Sequence, residues 1–272
     1  MNLSCQESLV PGQTLEEKLA NLAAYGFQAV EFVGEALWER KEEIVEALRH
    51  TSIKASVLCP RQRGCFLAAE KEERELAVSD LKRSLELASH IGAVGVITIP
   101  IFGPRPRLPD LSPLANAVEL EHRLMVGILG GIGKYAQKLG SLVLLEPLNR
   151  YEAHFLNRLE EAVKLCEEVG SEGVKIMADF FHMNIEEGQI AQSIECAGQY
   201  IQHIHLADSN RLLPGHGHTD FAAGFAALSR VGFDKFMSLE CRIPGDARIE
   251  LPKCAQYLKR MWDSQIAPAA KE

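Results

Sequence analysis

The sequence lacks long apolar runs and extended clusters of basic residues. Its longest apolar segments, such as 94–100 and 142–145, have the length of strands and fall far short of the roughly 20 residues that a membrane helix needs. No basic cluster is longer than Arg61-Gln62-Arg63, and the formal net charge is -8. Because nucleic-acid binding depends on positive charge that neutralises phosphates, we expect neither a membrane span nor a nucleic-acid partner.

Secretory and redox signals are missing as well. The first residues have neither the basic start nor the apolar core of a secretory signal, which predicts a cytoplasmic protein. The 7 cysteines are odd in number, and no two of them have Cys-x-x-Cys spacing. Several lie within apolar strand or helix patterns, which favours buried, reduced thiols.

What the sequence does contain is an alternation of strand-like and helix-like segments from one end to the other. Short runs rich in β-branched residues are followed by stretches with i, i+3, i+4 apolar spacing, which is the pattern of βαβ units and a parallel sheet. The pattern repeats about eight times. The predicted strands lie near residues 3–5, 29–32, 55–58, 95–99, 142–145, 174–178, 201–206 and 236–239.

The boundaries of the predicted helices are marked by glycine. A glycine follows four helical runs, at positions where a left-handed C-cap costs little: Gly26, Gly92, Gly140 and Gly170. The last helix is predicted over 247–262, with a frayed tail at 268–272. The Pro-rich segment 103–109 is predicted to be a loop after the fourth strand.

The length of 272 residues is close to the roughly 250 that one eight-fold βα barrel needs. No composition shift or Gly/Ser linker divides the chain, so we expect a single domain over 1–272. The predicted fold is of the α/β class, a closed (β/α)8 TIM barrel. A doubly wound open sheet could be built from the same units, but no Gly-x-Gly-x-x-Gly turn follows the first strand, so the usual dinucleotide fingerprint is missing.

Four residues able to bind a metal lie at the ends of four consecutive strands, with separations of 33, 26 and 35 residues: Glu146, Asp179, His205 and Glu240. In a closed barrel the carboxyl ends of all strands meet at one mouth. Three unpaired carboxylates there would repel one another, and a divalent cation removes that penalty. Oxygen ligands with one imidazole suit Mn²⁺, Mg²⁺ or Co²⁺ better than a structural Zn²⁺.

Other interpretations of these residues stay open. Each acidic residue taken alone could cap the helix that follows its strand, although four in consecutive register weaken that interpretation. His203 shares a strand face with His205, so it could support the site or fill the barrel, and direct ligation is the less favoured role. His218 could approach the metal or the substrate, and His216 is expected at the surface.

Three segments resemble a known family. The segments 146–152 (EPLNRYE), 179–187 (DFFHMNIEE) and 203–211 (HIHLADSNR) are similar to motifs of the xylose-isomerase-like barrels. Within that superfamily they look most like the ketose 3-epimerases, typified by enzymes for D-tagatose and D-psicose (allulose). The likeness is specific over about 142–242 and looser in the amino-terminal half.

The resemblance implies roles for individual residues. Glu146, Asp179, His205 and Glu240 would bind one metal ion, and Glu146 and Glu240 would also be the catalytic acid/base pair. The positions that match the family's contacts to the O1 and O2 end of a ketose are Glu152, His182 and Arg211. These three could also be a surface carboxylate, a helix cap and a solvated charge, but the intact flanking motifs favour substrate contact.

The chemistry expected of such a site is epimerisation of a small sugar. A metal at O2 and O3 would stabilise a developing cis-enediolate, and a carboxylate on each face could remove the C3 proton and return it from the other side. No organic cofactor is expected, and related barrels suggest a homodimer or homotetramer.

Three other functions remain as alternatives. Hydroxypyruvate isomerase, or another small-sugar aldose-ketose isomerase, would use the same chemistry on a different carbon. An endonuclease-type phosphodiesterase would need more histidine ligands and a basic surface, and the sequence offers neither. A catalytically silent sugar-binding barrel is disfavoured by the complete ligand set.

Overall fold

Eight parallel strands close into one barrel in the computed structural model, which describes residues 1–266. The strands follow one another around the barrel in chain order, and the last pairs with the first. They are β1 Asn2–Gln6, β2 Ala29–Gly34, β3 Lys54–Pro60, β4 Gly95–Thr98, β5 Leu142–Leu145, β6 Val174–Asp179, β7 Ile201–Leu206 and β8 Phe236–Leu239. The predicted closed (β/α)8 barrel is therefore confirmed, and the open doubly wound sheet is excluded.

Helices surround the barrel between successive strands. They are α1 Leu15–Tyr25, α2 Lys41–Arg49, α3 Lys71–Ile91, α4 Ala117–Leu139, α5 Leu159–Val169, α6 Phe180–Glu186, α7 Ile190–Ala197, α8 Phe221–Arg230 and α9 Ala247–Ile266. The four predicted glycine caps are confirmed, since each ends its helix with a φ between 61° and 89°. No helix among the described residues is both long and apolar enough to cross a membrane.

Two details differ from the sequence pattern. The connection after β6 contains two helices, α6 and α7. The helices are separate because the backbone of Glu187 is extended and not helical. The Glu187 carboxylate stabilises this break: it accepts hydrogen bonds from the backbone N–H of Leu159 at 2.9 Å and from the hydroxyl of Ser193 at 2.8 Å. Helix α9 extends four residues beyond the predicted Trp262, and the predicted frayed tail at 268–272 lies outside the described residues.

The strands separate an inner from an outer apolar layer. Alternate strand residues such as Val143 and Ile176 pack against the helices in the main core. A smaller cluster of inward-facing side chains fills the barrel itself: Val57, Ile97, Leu144 and Met177. Polar and charged side chains replace the apolar ones toward the carboxyl ends of the strands, where Glu31, His203 and His205 are fully buried.

Candidate active site

The barrel brings the four predicted metal ligands to one point at its carboxyl end. One ligand atom from each of Glu146, Asp179, His205 and Glu240 can be chosen so that all four lie within 4.8 Å of one another. The strand register explains this convergence, because Asp179 and His205 are directly paired across β6 and β7. Glu146 and Glu240 are the first residues after β5 and β8.

His205 lies at the centre of this cluster. Its Nδ1 atom is 3.2 Å from Oε2 of Glu240, 3.7 Å from Oε1 of Glu146 and 3.9 Å from Oδ2 of Asp179. Both His205 Nδ1 and Asp179 Oδ2 are buried and have no hydrogen-bond partner among the described residues. Buried polar atoms in native proteins are nearly always satisfied, so these atoms, aimed at one point, fit a bound cation.

The carboxylates of the cluster have very different proton affinities. Burial, followed by the negative charge of Glu240, raises the pKa of Asp179 to about 8. Burial also raises the pKa of Glu146. Burial acts in the same direction on Glu240, but the positive charges of His205 and Arg211 outweigh it and lower its pKa to about 2. Such separation of neighbouring acids is typical of sites that exchange protons.

His182 presents a hydrogen-bond donor to the same point. Its Nδ1 atom accepts a hydrogen bond from the backbone N–H of Asn149 at 3.1 Å. Burial and the charge of Arg211 lower the pKa of His182 to about 3, so the ring is neutral and its proton lies on Nε2. That nitrogen is 3.6 Å from Oδ2 of Asp179 and 3.9 Å from Oε1 of Glu146.

Arg211 is held over the site by several contacts at once. Its guanidinium donates to Oε2 of Glu240 at 3.0 Å and to Oε1 of Glu152 at 3.3 Å. The same group stacks 4.6 Å above the ring of Phe181. The backbone of Arg211 has a φ of 60°, which is unusual for a residue with a Cβ, and its N–H donates to the carbonyl of Asp208. Strained backbone of this kind concentrates at functional sites.

Glu152 joins the group through Asn149, whose side-chain amide donates to Oε1 of Glu152 at 2.9 Å. A cavity of about 400 Å³ opens beside the cluster, and all three predicted substrate contacts, Glu152, His182 and Arg211, line it. The amino-terminal half also contributes to the lining of this cavity: Gln6, Ser8, Val33, Cys59, Pro60, Arg61, Gln62, Ile97, Ile99 and Phe102.

The two histidines of the loop before α8 are elsewhere. His216 is exposed, and His218 is exposed and lines a different cavity together with Asn184 and Asp220. The structure therefore does not bring His218 to the metal ligands or to the substrate cavity.

Beneath the ligands lies a buried layer in which Glu31 is joined to His203 and to the predicted ligand His205. Glu31 is completely buried, and its carboxylate accepts hydrogen bonds from Nε2 of His203 at 2.9 Å and from Nε2 of His205 at 3.0 Å. Burial alone would raise the pKa of Glu31, but the charge of His205 and these hydrogen bonds hold it well below its ordinary value. The available signal is an acidic residue between the apolar residues Val30 and Phe32 of a strand, because a carboxylate buried there requires a partner.

The chain matches the model of the family described as the xylose isomerase-like TIM barrel over residues 19–261. The chain belongs to that family.

Relatives of this xylose isomerase-like barrel are sugar epimerases. A 3-dehydro-D-guloside 4-epimerase of Escherichia coli (strain K12) is 29% identical over 244 residues, which cover 89% of this chain and 93% of the relative. A D-psicose 3-epimerase of Enterocloster bolteae is 31% identical over 223 residues, covering 78% and 71%. The apo crystal structure of a 3-keto-D-glucoside 4-epimerase from E. coli has a TM-score of 0.87 at 28% identity, covering 96% of this chain and 99% of that one.

These relatives identify this xylose isomerase-like protein as an enzyme of the sugar isomerase and epimerase class. The predicted family and the predicted enzyme class are confirmed. The individual roles of the residues in the cavity remain predictions.

Proposed function

We propose that the protein inverts the carbon next to the ketone of a small sugar, and that its simplest activity is that of a ketose 3-epimerase. The observation that carries this proposal is the pair Glu146 and Glu240. The two carboxylates reach the same point from β5 and β8, and their surroundings drive their pKa values in opposite directions. A pair of acids with different proton affinities can remove a proton on one side of a substrate and supply one on the other.

One divalent metal ion belongs to the proposal. Glu146, Asp179, His205 and Glu240 would hold it, and its charge would stabilise the negative charge that develops on the sugar oxygens. The unsatisfied buried atoms at His205 and Asp179 support this ligand set.

The remaining side chains would orient the sugar. His182 offers its Nε2–H as a neutral donor to a substrate oxygen, and Arg211 offers a fixed positive charge on the same side of the cavity. Glu152 accepts hydrogen bonds and would bind a sugar hydroxyl. Together they would bind the carbonyl end of the substrate, so that the carbon beside it lies between Glu146 and Glu240.

The proposed reaction leaves the composition of the sugar unchanged but replaces one of its hydrogens, and the two glutamates regain their starting protonation states by proton exchange with water. One of the two glutamates takes the proton from the carbon next to the ketone, and the C–H electron pair moves toward the carbonyl oxygen. The other glutamate then gives a proton to the opposite face of that carbon, and the carbonyl forms again with inverted stereochemistry. If the proton were instead taken from C1 of a 2-ketose and a proton were given to C2, the product would be an aldose, which is the isomerase alternative.

A second candidate is the 4-epimerisation of a 3-keto glycoside. The observation that favours it is the extent of the match, since the 4-epimerase relative aligns over 89% of this chain and 93% of its own length. The chemistry is the same, because C4 stands next to a C3 ketone as C3 stands next to a C2 ketone. Only the position of the ketone in the sugar distinguishes the two.

Isotope exchange tests the proposal directly. The enzyme would be incubated with Mn²⁺ in D₂O with a panel of free ketoses and 3-keto glucosides, and the products analysed by NMR. Deuterium at the carbon next to the ketone, with inverted configuration, supports the epimerase. Label at C1 or C2 with an aldose product indicates the isomerase, and absence of label in every sugar of the panel would contradict the proposal.

The proposal also includes the identity of the metal ion, the cellular location of the protein and its oligomeric state. Mn²⁺ is the proposed ion, with Mg²⁺ and Co²⁺ as alternatives, because three carboxylates and one imidazole are hard ligands. No organic cofactor is proposed. A cytoplasmic homodimer or homotetramer is the proposed state, and light scattering after size-exclusion chromatography measures the assembly.

A further inference from the structure

We propose that Glu31 and Gln6 are positioning residues of the metal centre: Glu31 fixes the proton of His205 on Nε2, and Gln6 couples Glu31 to Glu240. This inference rests on the proposed function for its metal. Neither residue belongs to the predicted ligand or substrate set.

The contacts of Glu31 determine which nitrogen of His205 faces the proposed metal site. Both carboxylate oxygens of Glu31 lie 3.0 Å from Nε2 of His205. An ionised carboxylate can only accept hydrogen bonds, so Nε2 must carry the proton. In the neutral ring that a bound cation would require, in place of the charged ring of the metal-free site, the lone pair is then on Nδ1, the atom that faces Glu146, Asp179 and Glu240. Carboxylate-histidine pairs of this kind orient metal ligands in many proteins.

Glu31 is saturated by donors that all belong to the site. His203 donates from Nε2 to Oε2 of Glu31 at 2.9 Å, and Gln6 donates from Nε2 to Oε1 at 2.9 Å. No Lys or Arg side chain among residues 1–266 forms an ion pair with Glu31. A buried carboxylate without a fixed cation is a poor device for stability, and its placement is explained by the orientation of His205.

Gln6 connects Glu31 to a second predicted metal ligand, Glu240. Its side-chain amide has two N–H groups, and Nε2 lies 2.9 Å from Oε1 of Glu31 and 2.9 Å from Oε1 of Glu240. The sheet register makes this bridge possible, because Gln6 is paired directly with Glu31 across β1 and β2. With Oε1 held by Gln6, the other oxygen of Glu240 points to His205 and Arg211.

Substitution of Glu31 separates positioning from packing. In Glu31→Gln the side chain keeps its size but presents an amide N–H₂, which needs an acceptor. Either His203 or His205 must then accept at Nε2, and His205 loses its fixed tautomer. We expect Mn²⁺ affinity, measured by isothermal titration calorimetry without sugar, to fall by about 10- to 100-fold.

The chain offers a matched control in Glu121→Gln. Glu121 is fully buried, and its carboxylate contacts Nε2 of His154 at 2.6 Å, outside the metal-ligand cluster. This variant should bind Mn²⁺ within about twofold of the parent. If folded Glu31→Gln binds Mn²⁺ as tightly as the parent, the proposed role of Glu31 is wrong. If Glu31→Gln and Glu121→Gln lose Mn²⁺ affinity equally, the loss is a general effect of replacing a buried carboxylate, and the proposed role of Glu31 is again wrong.

Gln6→Leu provides a second test, which can be carried out even if Glu31→Gln does not fold. We expect kcat to fall about 10-fold while KM changes less than threefold, because Glu240 loses its orientation but the sugar contacts remain. Unchanged kcat would overturn the role of Gln6. The calorimetry contains no sugar, so a loss of Mn²⁺ binding in Glu31→Gln supports the role of Glu31 even if the proposed sugar substrate is wrong. A parent protein that binds no Mn²⁺ would instead contradict the proposed function itself.

Discussion

The backbone N–H of Asn149 donates to Nδ1 of His182 at 3.1 Å, and this contact determines which ring nitrogen faces the cavity. A backbone N–H can only donate, so Nδ1 is an acceptor and Nε2 carries the proton. The side-chain amide of Asn149 lies 2.8 Å from the same nitrogen and reinforces the arrangement. The loop after β5 thereby sets the hydrogen-bonding character of a residue in the first turn of α6.

This relationship predicts that His182→Asn separates stability from activity. The shorter side chain can keep an acceptor near the N–H of Asn149, but it has no donor at the position of Nε2. We expect kcat/KM to fall about 10- to 100-fold, while the free energy of unfolding changes by less than about 1 kcal/mol. Steady-state kinetics and urea denaturation measure the two quantities. Parent-like kcat/KM in a folded variant would remove His182 from the substrate site.

Metal removal should abolish proton exchange and leave the fold intact. The barrel closes through its strands and its apolar core, and these do not depend on the ligand cluster. With Mn²⁺ at 100 times its dissociation constant, binding adds about 2.7 kcal/mol to stability. Treatment with EDTA should therefore stop deuterium uptake and lower Tm by about 5–10 °C, with far-UV circular dichroism unchanged at 25 °C.

Restoration by added Mn²⁺ is the control for that experiment. The alternatives Mg²⁺ and Co²⁺ are added to separate samples at the same concentration. Full exchange activity in exhaustively chelated protein would contradict the metal-dependent mechanism.

Asp208 predicts a pH-dependent contribution to stability. Its carboxylate accepts backbone N–H groups of Ser209 at 2.8 Å, Gly215 at 2.8 Å and Thr219 at 3.0 Å. Burial would raise its pKa, but these bonds prevail and lower it to about 2, from an ordinary value near 3.8. The lowered pKa means that the stabilisation is complete above about pH 4 and is lost as the pH falls toward 2.

The variant Asp208→Asn tests this contribution. Its free energy of unfolding should be about 1–2 kcal/mol below that of the parent at pH 7, allowing for solvent screening. Urea denaturation is repeated at pH 5, 4 and 3: the difference should be the same at pH 5 as at pH 7 and should shrink between pH 4 and 3. A difference that stays constant over this range would assign the effect to shape instead of charge.

Two glycines predict opposite effects of the same substitution. A Cβ on Gly224 in α8 would overlap the ring of Phe180, whereas a Cβ on Gly127 in α4 would meet nothing within 4 Å. We expect Gly224→Ala to destabilise the protein by about 1–3 kcal/mol. Gly127→Ala should stabilise it by about 0.5–1 kcal/mol, because alanine favours the helix. Thermal unfolding of the two variants in parallel checks the signs, and a loss in both would show that α4 tolerates no side chain there.

Much of the fold and the ligand cluster could be predicted because both follow from periodicity. Short apolar runs that alternate with helical runs fix the strands, and one acidic or imidazole side chain at each of four consecutive strand ends must converge in a closed barrel. Asp179 and His205 illustrate this, since their separation along the chain equals one βα repeat and the register pairs them.

The supporting residues could not be predicted in the same way. Glu31 and Gln6 lie 25 positions apart, and their contact depends on the register between β1 and β2 and on the side-chain rotamers. The loop conformation that aims Arg211 at Glu240 depends on Asp208 and on a left-handed backbone, which a sequence pattern does not signal. Likewise, the break between α6 and α7 depends on where the carboxylate of Glu187 finds its donors.

The pairing of β8 with β1 has a consequence for the order of events during synthesis. Gln6 and Glu240 are 234 positions apart, so their contact can form only after nearly the whole chain has left the ribosome. Until Phe236–Leu239 arrives, β1 and β7 are both open edges with unpaired backbone groups, which invite association with other nascent chains. The proposed metal site is therefore among the last parts of the barrel to be assembled, and premature termination before Phe236 would produce an aggregation-prone fragment without Glu240.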